Sequence, residues 1–341
     1  MVFSKDDVIA GRYQVLEMVG QGGFGNVYKA FDIDSNEKVA CKVSDRHVEA
    51  LRHEANLLYR LGSVTSCIPR YNRFVTEGDR GVLVMKLLGP SMSQIRTHAD
   101  NQNIPMAGVL RIAIAMNACL FSIHQYGVVH RDIKNSNFAL SSKKHRLYLI
   151  DFGIARTFAS KTGLIPARPK PGFRGSILYA SPNAHAEADL GPRDDYWSLL
   201  FSLIELMDGR LPWKHGDGIK VAGLKKAAFI ESFETSRYPQ SMKRLVRYLQ
   251  TVKYGELLDC RYVRKIFLDD LWRLGVRVTT SDRHLIVAPH AAPTNAEIDE
   301  NESDPAQFAG IGSEMEVREP KQGGRLVTFI VKQLSVCTKS P

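Results

Sequence analysis

His130-Arg131-Asp132-Ile133-Lys134-Asn135-Ser136-Asn137 and, one apolar strand further on, Asp151-Phe152-Gly153 decide how this chain is read. The first stretch follows a helical run that stops at Gly127, and Leu147-Tyr148-Leu149-Ile150 leads as a buried strand into the second. Phosphoryl transfer needs a carboxylate that orients the accepting hydroxyl and takes its proton. It also needs oxygen ligands that hold magnesium against the phosphates. Asp132 suits the first task, and Asn137 and Asp151 suit the second.

Working toward the N-terminus, Gly20-Gln21-Gly22-Gly23-Phe24-Gly25-Asn26-Val27 fits G-x-G-x-x-G-x-V, where missing side chains let backbone N–H groups approach phosphate oxygens. Such a run by itself could equally be a glycine-rich turn with no ligand. A dinucleotide fold would follow the glycines with a helix. Here they are followed by the alternating NVYKAFDI, the turn DSNE and another strand, which is a hairpin able to lie over a nucleotide. Lys42 in Val39-Ala40-Cys41-Lys42 sits on that next strand, within reach of phosphates, and Glu54 lies in the following helix, placed to pair with it. Alone, both would read as solvated surface charges. Their order and spacing with the other motifs argue against coincidence.

The periodicity divides the chain. Residues 13–85 alternate in short apolar runs, interrupted by one helix in SDRHVEALRHEANLLYRLG, with Ser44 or Asp45 expected to cap its start and Gly62 its end. After Gly89 helices dominate: MAGVLRIAIAMNACLFSIHQYG, with Ile112, Met116, Cys119 or Leu120, and Ile123 on one face, then DYWSLLFSLIELMDG and SMKRLVRYLQTV. The expectation is an α+β fold of two lobes, a small antiparallel sheet with one helix and a larger helical lobe (89–277), with the ligand cleft at their joint. Residues 1–12 read as an N-terminal extension. Residues 278–341 read as a tail, largely disordered, because Ala296 to Glu319 carries eight carboxylates against one arginine. Its final RLVTFIVKQLSV is apolar enough to dock somewhere.

On these motifs the chain resembles the eukaryotic protein kinases, from residue 13 to about 277. Within them it is similar to the casein kinase one superfamily, nearest its tau-tubulin kinase branch. The narrower likeness rests on GFRGSILYASPNAH and GPRDDYWSLLFSLIE, where Ser181-Pro182-Asn183 replaces the usual A-P-E. The resemblance implies ATP and magnesium as cofactors and transfer to protein serine or threonine. It implies Asp132 as base, Lys134 on the transferred phosphate, and Lys42 aimed by Glu54. Val19, Gly20, Gln21, Gly22, Gly23, Phe24 and Gly25 would cover the nucleotide. Val27, Ala40, Ala139 and Ile150 would sandwich the adenine, Met85 would guard the back of its pocket, and Lys86, Leu87 and Leu88 would form the hinge. Asp195 would brace the catalytic loop, with His130 and Phe152 as packing.

Two departures stand out. Asn135 occupies the position of proline in H-R-D-x-K-P-x-N, which frees a fixed φ and restores a backbone donor, with a modest effect expected. Leu178 stands where the resemblance implies an arginine that binds an acidic or phosphorylated substrate residue. Arg168, Lys170 and Arg174 still crowd that segment, so acidic protein substrates are expected, although a solvated basic loop would read the same. The net charge of +10 and pI near 9.3 admit several anionic partners. No zinc-finger spacing or RNP-type strand points to nucleic acid. Five scattered cysteines, a charged N-terminus and no expected membrane span suggest a monomeric cytoplasmic or nuclear protein with reduced thiols. The competing reading is a kinase-shaped scaffold with little or no transfer activity.

Overall fold

The computed structural model describes residues 2–276, apart from 24, 100, 101, 142–145, 161 and 215. The expected tail, its apolar end, Cys337 and the tip residue Phe24 therefore lie outside the described residues. Six antiparallel strands form one sheet: β1 (Val8–Ile9), β2 (Tyr13–Gly22), β3 (Gly25–Asp32), β4 (Glu37–Ser44), β5 (Tyr71–Glu77) and β6 (Arg80–Lys86), in the order β1-β2-β3-β4-β6-β5. Their side chains alternate in direction, which separates the faces. Tyr28, Ala30, Val39, Cys41, Val82 and Val84 bury one face beneath Ile9. Ala40 and Leu83 turn the other toward helix α1 (Val48–Gly62).

Two expectations change here. Residue 13 is no structural boundary, because β1 pairs with β2 and Ile9 is fully buried. The start of α1 also lies later than Ser44 or Asp45: its N-cap is His47, and the Ser44 hydroxyl accepts the His47 N–H at 3.1 Å in the preceding turn. Leu51, Glu54, Ala55, Leu58 and Leu61 make the buried stripe of α1, which brings Glu54 inward.

The larger lobe begins with α2 (Met92–Thr97) and α3 (Met106–His124). Short strands follow: β7 (Val128–Val129), β8 (Phe138–Leu140), β9 (Leu147–Leu149), β10 (Arg156–Thr157), β11 (Ala159–Ser160) and β12 (Gly163–Leu164). Helices α4 (Pro182–His185), α5 (Pro192–Asp208), α6 (Ile219–Glu231), α7 (Gln240–Thr251) and α8 (Cys260–Arg273) complete it. Helix α3 is packed by α5 on one side and α8 on the other, so it is buried well beyond the single face expected, from Val109 through Ala113 and Met116 to Ile123. Contrary to expectation, this helix is long and apolar enough to cross a membrane, but 67% of its span is buried within the protein, as in a core helix. One apolar cluster runs from Ala40 and Leu51 through Met116 and Leu120 to Phe201 and Phe267, joining the lobes behind the cleft.

Candidate active site

Strand β4 and helix α1 meet the Asp151-Phe152-Gly153 turn at the joint. Lys42 Nζ donates to Glu54 Oε2 at 2.6 Å and to Asp151 Oδ1 at 2.7 Å. Glu54 Oε1 accepts the Phe152 N–H at 3.1 Å, which ties the helix to the turn. Lys42 is buried, and burial alone would lower its pKa; the fields of Glu54 and Asp151 outweigh that and hold it above its usual value. Asp151 also pays for burial, yet Lys42 keeps it below the ordinary carboxylate range. Desolvation wins at Glu54, fully buried, and pushes it up.

The catalytic loop is held from below by α5. Asp195 Oδ2 accepts the His130 N–H and His124 Nε2, each at 2.8 Å, and Oδ1 accepts the Arg131 N–H at 2.8 Å. Arg131 (φ 68°), fixed in this way, and Asp151 (φ 67°), whose side chain is held by Lys42, adopt left-handed backbone that neither would choose freely, as recurs where a site over-determines its residues. His130 packs its ring on Phe152 at 4.9 Å and bonds Ile150 O at 3.0 Å, which makes it a packing residue; burial lowers its pKa, so the imidazole stays neutral.

Asp132 sits at the centre. Its Oδ2 accepts Lys134 Nζ at 2.7 Å, and its Oδ1 accepts the Ser176 N–H at 3.0 Å and hydroxyl at 2.8 Å. Lys134 Nζ also reaches Ser176 Oγ at 3.1 Å. Asn137 Nδ2 donates to Asp132 O at 2.8 Å, which leaves its Oδ1 as an acceptor. A carboxylate from Asp151 and an amide oxygen from Asn137 are hard donors that fit magnesium, whose remaining ligands would be phosphate oxygens and water. No cluster of three His, Cys, Asp or Glu suited to a purely protein-held metal occurs among the described residues.

Around this centre the residues expected at the nucleotide take the following positions. In the β2–β3 hairpin, Gly20 lies opposite Val27, and Val27 lies opposite Lys42. Val19, Gln21, Gly22 and Gly23 are exposed along the hairpin. Gly25 (φ 135°) must be glycine, because a Cβ there would overlap the Val43 carbonyl. Ala40 lies opposite Met85 at the back of the cleft; Ala139 is buried on β8, and Ile150 is half-buried. Strand β6 stops at Lys86, and the chain is anchored again where the Gly89 N–H meets Leu140 O at 2.6 Å, so Leu87 and Leu88 form the crossing between lobes.

The basic residues of the activation segment are arranged differently from a free cationic patch. Arg168 is engaged by buried Asp189, through Nη2 at 2.9 Å and its own N–H at 2.9 Å, and Arg156 pairs with the same carboxylate. Arg174 turns back onto the Phe173 carbonyl at 3.0 Å, and Lys170 is exposed. Leu178 is buried, and its carbonyl accepts Trp213 Nε1 at 2.7 Å.

Several functional groups escaped the sequence reading. Ser176 carries no motif of its own, although its neighbour Gly175 (φ 94°) was a signal: a Cβ there would come within 2.5 Å of Arg131 O, so glycine lets the segment press onto the catalytic loop. His124 and Asp189 act only through contacts distant in sequence. Asn135 is fully buried and far from a neutral substitute for proline, since Nδ2 donates to Ser202 O at 2.9 Å and to Glu205 Oε2 at 2.7 Å.

Comparison with known proteins agrees with this geometry. Residues 13–259 match the protein kinase domain family. A probable serine/threonine-protein kinase of Dictyostelium discoideum is 33% identical over 287 residues, covering 82% of this chain and 57% of that protein. The chain thus spans little more than half the length of that relative.

Proposed function

Since the chain belongs to the protein kinase domain family, we propose that it transfers the γ-phosphoryl group of ATP to serine or threonine hydroxyls of proteins. The observation that carries this reading is the closed contact of Lys42 with Glu54 and Asp151 beside an Asp132 already hydrogen-bonded to a serine hydroxyl. Lys42, aimed by Glu54, orients the α- and β-phosphates by charge-assisted bonds. Magnesium, when held by Asp151 and Asn137, supplies neutralisation of phosphate charge. Asp132 accepts the hydrogen bond of the substrate hydroxyl and takes its proton, and Lys134 is within reach to balance charge on the transferring group. Ser176, now on Asp132, marks where that hydroxyl approaches.

The finer assignment within the family is a casein-kinase-one-like enzyme. Ser181-Pro182-Asn183 supports it by the way it is used. Ser181 Oγ and Asn183 Nδ2 both donate to Asp194 Oδ1 at 2.7 Å, so neutral donors anchor the segment at the start of α5. Exposed Lys170 and Arg174 support acidic substrates.

The test is transfer of labelled γ-phosphate from Mg·ATP to an acidic serine- and threonine-rich protein. Asp132→Asn is expected to lose about 10²- to 10⁴-fold in rate while keeping the thermal shift on adding Mg·ATP. Equal rates would remove Asp132 from its role. A folded wild type with no turnover on several substrates would favour the scaffold reading.

A further inference from the structure

We infer that Asn135 is a positioning residue that links the catalytic loop to the activation segment through one oxygen of Glu205, an inference that rests on the transfer reading above. Asn135 opens the 3-10 turn Asn135–Asn137, where the Asn137 N–H bonds Lys134 O at 2.9 Å and Asn137 Nδ2 holds Asp132 O. Its own Nδ2 donates to Glu205 Oε2 at 2.7 Å, and that same oxygen accepts the Tyr179 hydroxyl at 2.8 Å. The Tyr179 N–H bonds Ser176 O at 2.9 Å, and Ser176 bonds Asp132 Oδ1. The contacts therefore close a ring that leaves Asp132 along the loop, crosses half-buried Glu205 on α5, and returns to Asp132 along the segment.

Three details indicate that the ring is built for position. Burial and Glu205 raise the Tyr179 pKa, so its phenol remains a donor. Arg96 Nη2 lies 3.7 Å from the other carboxylate oxygen, Glu205 Oε1, and offsets the charge of this half-buried group. Asn135 Oδ1 is buried with no partner among the described residues, so only the donor half of the amide is used. A side chain kept merely to fill space would avoid that orphaned acceptor. Proline would fix φ here but would donate to neither Ser202 nor Glu205.

The experiment compares full-chain wild type, Asn135→Ala, Asn135→Pro, Tyr179→Phe and the Asn135→Ala/Tyr179→Phe double variant in steady-state transfer and in amide hydrogen exchange. Expected are a kcat loss of about tenfold in Asn135→Ala with little change in KM for ATP, no recovery in Asn135→Pro, and a double variant no worse than the poorer single one. Exchange over residues 176–180 should quicken in Asn135→Ala, although the Asn135 amide donates to Ser202 and Glu205 and not to them. Additive losses, or variants with a lower Tm but unchanged kcat and unchanged exchange at 176–180, would overturn the linkage. Should Asn135→Ala fail to fold, faster exchange over 133–137 in Tyr179→Phe reads the same link from the other side, and unchanged exchange there refutes it. A wild type without transfer would sink the kinase reading alone, since the linkage is still decided by exchange.

Discussion

Two charge clusters lie on either side of the catalytic loop and are composed in opposite ways. In the cleft, one ammonium, Lys42, serves two carboxylates, Glu54 and Asp151, a formal charge of −1. Under the activation segment, one carboxylate, Asp189, serves two guanidinium groups, Arg156 and Arg168, a formal charge of +1, with Arg131 nearby. Burial opposes ionisation of Asp189, but Arg168 and Arg156 hold it well below the usual carboxylate range. Burial, aided by the repulsion of Arg168 and Arg156, brings Arg131 down to about 10. The cleft is left with a demand for a cation, which the proposed magnesium-nucleotide reading requires. The second cluster is largely satisfied within the fold, so the segment is held in place by an internal anion.

The contrast can be broken at its strongest point by Lys42→Met, which removes the ion-pair partner that Glu54 and Asp151 share. Transfer should fall by about 10²- to 10³-fold, the usual loss for one electrostatic group in a closed site, and the Mg·ATP thermal shift should shrink. A rate within a few-fold of wild type would show that the triad does not orient phosphate.

Next in size is Asp189→Asn, which strands two arginines and should cost about 2 kcal/mol of stability at pH 7, less than for a fully buried pair because Arg168 is half in solvent. The pH dependence has a definite sign. The folded-state pKa lies below the unfolded value of about 3.9, so the stabilisation is present above that pH and is lost as pH falls below it. Urea melts of wild type and variant should therefore differ at pH 7, and the difference should begin to shrink only below about pH 4 and close progressively toward the lowered folded-state value. A difference independent of pH would assign the effect to packing.

The smallest effect belongs to the exposed cations. Lys170→Glu with Arg174→Glu should raise KM for an acidic peptide a few-fold at low salt, and the gap should close at high ionic strength. No change at low salt would remove this face from substrate binding.

The residues of the cleft were legible because their chemistry fixes both type and order. Asp132, Asn137 and Asp151 belong to short motifs, and Lys42 and Glu54 are only 12 positions apart on a strand and the helix after it. The groups that were not legible act over long separations through ordinary side chains. Asn135 reaches Glu205 across 70 positions, Ser176 reaches Asp132 across 44, and Arg168 reaches Asp189 across 21. Arg168 illustrates the cost: a cation read as free for substrate proves to be paired, because charge in a sequence carries no information about its partner. The helix start at His47 and the nearly all-round burial of α3 were missed for a related reason, since caps and buried faces depend on what packs against them.

By itself, then, the sequence determined the two kinds of lobe, through periods of two and of 3.6 residues, and singled out the candidate reacting groups, because phosphoryl transfer needs such groups in that order. The tertiary structure alone decided which charges are spent on one another and which remain for a ligand. It also turned Asn135 from a missing proline into a tether, because the free energy of a buried polar group is set by the partner that meets it in space.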